Sequence, residues 1–257
     1  MTENRIVSLV PSLTHTLACC GFQSEIVGCT QFCVLPSDLH RTAKLVGGTK
    51  DPNMSLIQKL SPTHIFVNEE ENREDDISEC RLICPTIVTF PKGPQEVPKM
   101  LKDMGKGLSN TSAFNDLSGE IFQVLNRIGN DSSPISSRRF LYLIWREPYM
   151  AVSIDTYISR TLEYFGFENA ISTEKRYPEL TVEEIENLEA DLIFLSSEPY
   201  PFRERDAIRL KSEIPRCPDL YRIDGRLLSW YGTLTLDALR VLEDYSLGNE
   251  QESIKRF

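Results

Sequence analysis

Residues 65–76 read IFVNEEENREDD, an apolar run that empties directly into acids, amides and one arginine. Carboxylates beside an arginine can hold a polar ligand, move a proton, or simply pair with one another. Part of the stretch has a local explanation. Asn72 is placed to cap a helix beginning near Arg73, with Glu74, Asp75 and Asp76 in its first turn, where carboxylates complement the positive helix end. Ile77, Cys80 and Ile83 then supply its buried stripe. Residues 69–72 have no such account. They follow a strand, and open α/β sheets collect ligands at the carboxyl ends of their strands. Glu70, Asn72 and Arg73 are therefore candidate ligand contacts, the alternative being a Glu–Arg pair internal to the loop.

Three later stretches carry similar candidates. IWREPYM places Trp145, Arg146 and Tyr149 after a strand; SSEPYPF places Glu198 and Tyr200 after another; LLSWYG places Trp230 and Tyr231 between the last expected strand and a helix. Aromatic rings give flat contact area at low rotamer cost, and arginine suits carboxylate, amide or phosphate groups. Core packing is the competing role for each ring, and Trp145 can simply alternate inward along its strand.

Metal and catalytic patterns are sparse. The histidines are His15, His40 and His64, with no HxxH pair, and His64 fits a helix–strand junction. The seven cysteines form no CxxC pairs; Cys29 and Cys33 are either soft ligands or buried thiols. No protein metal site, catalytic residue or bound cofactor is expected. GxGxxG, P-loop and GxSxG patterns are absent. Glu70 and Glu198 can in principle act as an acid–base pair, but nothing requires it.

The elements that position these residues follow from a repeat. Residues 53–65, NMSLIQKLSPTHI, align without a gap on residues 181–193, TVEEIENLEADLI. Each begins with a capping residue, continues with apolar residues at helical spacing, and ends in an apolar strand. CPTIVTF and CPDLYRI, and the pairs Gly21-Phe22 and Gly166-Phe167, extend the match. The repeat places Glu70 and Glu198 at equivalent strand edges. Strands alternating with helices predict an α/β protein: two similar lobes with parallel sheets. Between them, Phe114, Leu117, Ile121, Val124, Leu125 and Ile128 recur at helical spacing, predicting one long helix over residues 111–129. The expected organisation is an N-terminal lobe over 1–110, a linking backbone helix over 111–130, and a C-terminal lobe over 131–257.

Charge narrows the partners. The net charge of -10 disfavours a nucleic-acid partner. No apolar run is long enough to span a membrane, so membrane insertion is not expected. The start, MTENRIVSLVPSLTHTL, lacks a secretory pattern, which predicts a cytoplasmic protein with reduced thiols, or a periplasmic one if an export signal has been removed.

The chain resembles the class III substrate-binding proteins, in which a rigid helix joins two lobes, and within them the helical-backbone metal receptors often labelled cobalamin-binding. The resemblance spans nearly the whole chain through RIVSLVPSLTHTL, VGCTQFCVLP, VGGTKDPN, NEEENREDD, VTFP, IWREPYMAV, RYPELTVEEI, SSEPYPF and DGRLLSWYG, in order. It implies non-catalytic capture, in a cleft between lobes, of a corrinoid such as cobalamin or of an iron chelate. It adds Phe32, and Tyr177, at a place where relatives pack an aromatic on the corrin. Relatives often carry a histidine where this chain has Leu35, and a glutamate where it has His15; both departures argue against a direct protein–metal bond. The resemblance also bears on an importer partner. Relatives dock on an ABC permease through one surface glutamate per lobe. Glu183 matches one, but the repeat puts Ser55 at the other, so permease docking is not expected. A monomer is expected. The alternative is a cytoplasmic enzyme or regulatory protein that reuses the fold without transport.

Overall fold

A computed structural model describes residues 4–130, 137–249 and 251–257. The first half of the chain runs through β1 (Ile6–Ser8), α1 (Pro11–Leu17), β2 (Ile26–Cys29), β3 (Lys44–Leu45), α2 (Met54–Lys59), β4 (His64–Asn68), α3 (Glu74–Ile83), β5 (Thr86–Thr89), α4 (Val97–Gly107) and α5 (Ser112–Asn130). Its five strands form one sheet in the order β3-β2-β1-β4-β5, and every neighbouring pair is parallel. Val7, Leu9, Ile57, Ile65, Val67 and Ile77 pack together under α2 and α3. Each such side chain removed from water contributes about 1.5–3 kcal/mol. The acids Glu74, Asp75 and Asp76 occupy the first turn of α3 as expected, while Arg73 is its N-cap in extended backbone, with no side-chain cap. Asn72 is therefore not the cap.

The second half holds β6 (Arg139–Trp145), β7 (Tyr149–Ala151), α6 (Tyr157–Glu163), β8 (Glu168–Asn169), β9 (Glu179–Leu180), α7 (Val182–Asn187), β10 (Leu192–Ser196), α8 (Glu204–Glu213), β11 (Asp219–Ile223), α9 (Gly225–Ser229), α10 (Thr233–Ser246) and β12 (Ile254–Arg256). The strand order is β12-β11-β10-β6-β7-β9, with β8 also on β6. Here the sheet is mixed rather than parallel throughout. β6, β8, β10 and β11 pair in parallel, but β7 pairs antiparallel with both β6 and β9 on one side, and β12 antiparallel with β11 on the other. The cause lies in connection length. Only residues 146–148 separate β6 from β7, and a parallel return needs a crossover of about a dozen residues or more. Tyr149 consequently lies inside a strand, and β11 is not the last strand.

The repeat is visible in both halves. β1-β4-β5 and β6-β10-β11 have the same order, and α2 and α7 are both six residues long. Asn53 Oδ1 accepts from the Leu56 amide at 3.0 Å. Thr181 Oγ1 accepts from Glu184 N at 3.2 Å, and Glu184 Oε2 accepts from Thr181 N at 2.7 Å, closing a capping box. Gly21 and Gly166 take positive φ of 92° and 81°, the left-handed conformation that glycine adopts at least cost. α5 covers the expected linking helix, with Phe114, Ile121, Val124 and Leu125 buried.

The chain divides into two compact units. The first holds Met1–Pro91, Gln95–Phe122 and Trp230–Leu234; the second holds Lys92–Pro94, Gln123–Ser229 and Thr235–Phe257. α5 thus contributes to both units, and the segment carrying Trp230 and Tyr231 belongs to the first, not to the second as its place in sequence suggests. Among the described residues no helix is long and apolar enough to cross a membrane.

Thr181→Ala removes the capping hydrogen bond of α7 and should cost about 1 kcal/mol of stability, read as a lower denaturation midpoint with unchanged slope; Asn53→Ala should cost α2 a similar amount.

Candidate functional site

Because all strands of the first unit are parallel, their carboxyl ends share one edge of the sheet. The loops leaving that edge carry α1 after β1, Phe32 after β2, Lys50 after β3, and residues 69–73 after β4. Asn68, buried at the end of β4, builds the last loop. Its Nδ2 donates to Thr89 O at 2.7 Å, and its Oδ1 accepts from Glu70 N at 2.9 Å and Glu71 N at 3.2 Å. Asn72 closes the loop. Its Oδ1 accepts from Asn68 N at 2.9 Å, and its Nδ2 donates to Thr49 O at 2.9 Å and Leu9 O at 3.4 Å. Asn72 is 3% exposed. It is a brace between loops: its amide takes backbone carbonyls outside the strand ladder. Glu70 is half-buried, its carbonyl held by Lys50 Nζ at 2.6 Å, and Arg73 is exposed. Phe32 is 51% exposed, its ring lying near Gly48, where an added Cβ would stand 3.3 Å from Cε2.

The segment Trp230–Leu234 joins this unit through α1. Thr233 N donates to Thr16 Oγ1 at 3.1 Å, and Gly232 has φ 103°, with no room for a Cβ against the Thr16 hydroxyl. Tyr231 is 6% exposed. Burial, then the negative charge of Glu71, raises its phenol well above the ordinary value, against hydrogen bonding from Ser12 and Thr89. Tyr231 is thus packed into the first unit. Trp230 is half-buried and meets His15 edge-on at 6.4 Å.

In the second unit β6, β10 and β11 also end on a common edge. Trp145, 41% exposed, packs edge-on against Tyr200 at 5.7 Å, and Tyr200 against Phe202 at 4.8 Å. Arg146 was expected to orient a ligand. Its guanidinium instead forms an ion pair with the buried Asp206 of α8 and donates to Glu147 Oε1 at 2.6 Å. Asp206 also accepts from Tyr200 Oη at 3.2 Å and from Arg203 N at 2.8 Å. A carboxylate this buried must be paired, so it claims the arginine. Burial opposes the charge on Asp206, yet these hydrogen bonds and Arg146 hold its pKa below the ordinary value. Tyr149 is a core residue whose hydroxyl donates to Glu213 at 3.2 Å. Glu198 is half-buried and accepts from Ser229 Oγ at 2.9 Å; Tyr177 is half-buried before Pro178.

Phe32, Glu70, Arg73 and Trp230 thus remain as partly exposed candidates in the first unit, and Trp145, Tyr177, Glu198 and Tyr200 in the second. Sequence reasoning missed Asn68, Asp206 and Lys50. Asp206 carried one usable signal, its position three residues after Arg203 at a helix start. The Arg146 pairing spans 60 residues and left none. Cys29 and Cys33 are both fully buried, with Thr14 and Thr30 hydroxyls 3.1 and 3.2 Å from Cys33 Sγ. Hydrogen bonding from Cys29 and these hydroxyls pulls the Cys33 thiol below its usual range despite burial. All seven cysteines are free. Among the described residues no group of three or more His, Cys, Asp or Glu side chains is arranged to hold a metal ion.

Asp206→Asn should cost about 1.5–3 kcal/mol, because it removes the charge-assisted bonds and leaves Arg146 with less compensation. The depressed pKa of Asp206 contributes stability above the unfolded carboxylate pKa of about 3.9, lost as pH falls through the lower folded value. Denaturant unfolding between pH 5 and pH 2, in about one-unit steps, should show a shallower acid loss in the variant than in the unmodified chain.

Comparison with known proteins accords with this architecture. The Fe(3+)-citrate-binding protein YfmC of Bacillus subtilis is 19% identical over 155 residues, 59% of this chain; the match spans about half, 49%, of that protein. The periplasmic vitamin B12 binding protein BtuF of Vibrio cholerae superposes with a TM-score of 0.81 at 17% identity, covering 95% of this chain and 96% of that one. A periplasmic heme binding protein from Pseudomonas aeruginosa gives 0.79 at 17% identity, covering 98% and 97%. A family model described as periplasmic binding protein matches residues 6–214, and the chain belongs to that family.

Proposed function

We propose that this protein binds a planar metal chelate, a corrinoid or an iron chelate, and releases it chemically unchanged. The observation that carries the reading is a pair of exposed rings at strand ends, Phe32 at 51% in the loop after β2 and Trp145 at 41% as the last residue of β6, in a chain that buries most of its other large aromatics. Exposed rings offer flat contact area at low rotamer cost, which suits a flat ligand. Glu70, Arg73 and Glu198 supply polar contacts for its periphery. The names of two relatives, vitamin B12 and heme, support a flat chelate, and that of a third, iron citrate, supports a metal chelate without a flat ring. Titration with cobalamin, ferric citrate and heme, followed by tryptophan fluorescence, should show saturable quenching by at least one of them, weakened by Trp145→Ala and by Phe32→Ala. Saturation by none of the three would overturn the reading.

The seven unbridged thiols fit a reducing compartment, and we propose a cytoplasmic carrier, sensor or store that acts as a monomer. Ser55 and Glu183 are both exposed second residues of their six-residue helices, α2 and α7, so only one of the two equivalent positions carries a carboxylate able to pair with an arginine on a permease. One anchor fixes neither register nor association rate well. Fractionation of cells expressing the native gene should recover the protein from the cytoplasm, and a reconstituted importer should gain no uptake from it. Periplasmic recovery together with uptake lost in Glu183→Ala would establish the transport role instead.

A further inference from the structure

His15 and Cys19 stand on successive turns of one helical stretch, and the ligand surfaces described above do not use them. Residues four apart on a helix share a face. Beyond α1 the chain continues in a wide π-type turn over Ala18–Phe22, a geometry that recurs at functional positions. Cys19 is exposed and His15 half-buried. His15 Nε2 and Cys19 Sγ lie 3.6 Å apart. A tetrahedral ion takes thiolate sulfur at about 2.3 Å and imidazole nitrogen at about 2.0–2.1 Å, which separates the two donors by about 3.5–3.6 Å. The hydrogen bond that joins the pair in the structure holds the two donors at a spacing that such an ion also accepts. Trp230 packs its ring edgewise on the His15 ring at 6.4 Å and so limits the rotation of one donor.

We propose that His15 Nε2 and Cys19 Sγ form a two-donor site for a thiophilic late first-row ion of the zinc and cobalt(II) type, its other positions open to water or to an incoming ligand's donors. Thiolate and imidazole together select this class over magnesium or calcium, which take oxygen. Binding forms one metal–sulfur and one metal–nitrogen bond. The thiol proton leaves to the buffer, and His15 binds through the neutral Nε2 lone pair while Nδ1 keeps its hydrogen. Two donors bind less tightly than a closed four-ligand site, so the ion exchanges readily. The inference does not rest on the chelate reading, because a bare metal salt tests it.

Cobalt(II) chloride titrated into the full chain under reducing conditions should produce a thiolate-to-cobalt charge-transfer band in the near ultraviolet. The band should saturate at one ion per chain and disappear on addition of zinc. Cys19→Ser should abolish it. His15→Ala should weaken binding by at least about tenfold, since changes to outer-shell partners alone cost metal sites about 10–100-fold. The double variant Cys84→Ser, Cys217→Ser should keep the band, which excludes the two other partly accessible thiols. In the unmodified chain, zinc should also slow iodoacetamide labelling of Cys19, followed by peptide mass spectrometry, a measurement that needs no variant to fold. A band that survives Cys19→Ser, no band at all, or labelling of Cys19 unaffected by zinc would each overturn the proposal.

Discussion

Parallel pairing of β1 with β4 and of β6 with β10 is the constraint on which the rest of the molecule depends. A parallel pair forces the chain to cross back over the sheet before the next strand, and the crossovers here are helices. Strands entered from the same end must also finish at the same end. Every loop that leaves a strand of the first sheet, and each that leaves β6, β8, β10 or β11 in the second, is thereby delivered to one edge of its sheet. Phe32 and Glu70 lie far apart in sequence and still leave the same edge, because β2 and β4 flank β1 and run parallel to it.

An edge of this kind creates a debt of unpaired backbone groups, and the two units settle it differently. The first uses amides. Asn68 and Asn72 together hold the carbonyls and amides of residues 9, 49, 68, 70, 71 and 89. The second uses charge, with Asp206 gathering Arg146, Tyr200 and the Arg203 amide around a single buried carboxylate. Both solutions consume polar side chains that a sequence reading assigns to a ligand.

This difference explains what was legible. The caps Asn53 and Thr181, the acids in the first turn of α3, and the apolar stripe of α5 act on neighbours within one or two turns, so their sequence spacing carries the information. The equivalence of the two halves was readable for the same reason, since it rests on short matched blocks. Three features were not readable. The hairpin between β6 and β7 hides in a three-residue connection that looks like a loop. The partners of Arg146 and Asn72 lie across the fold, and no local pattern announces them. The membership of Trp230–Leu234 in the first unit depends on a hydroxyl of Thr16, more than two hundred residues away. Aromatic candidates divided by the same rule: Tyr149 and Tyr231 went to packing, whereas Phe32 and Trp145 kept exposed faces.

The bracing also bears on how the molecule can bind. A loop held by several buried hydrogen bonds has few conformations to lose when a ligand arrives, so less of the contact energy is spent on ordering. Asn68 and Asn72 are nearly fully buried, and so is Asp206. Water therefore competes poorly for their bonds, and the loops above them stay in place at little further cost. Trp145, held at the end of β6 and packed edge-on against Tyr200, presents a fixed apolar face rather than an adaptable one. Fixed faces favour a ligand that is itself rigid and flat, because a flexible ligand would bring its own ordering cost to a surface that cannot adjust to meet it.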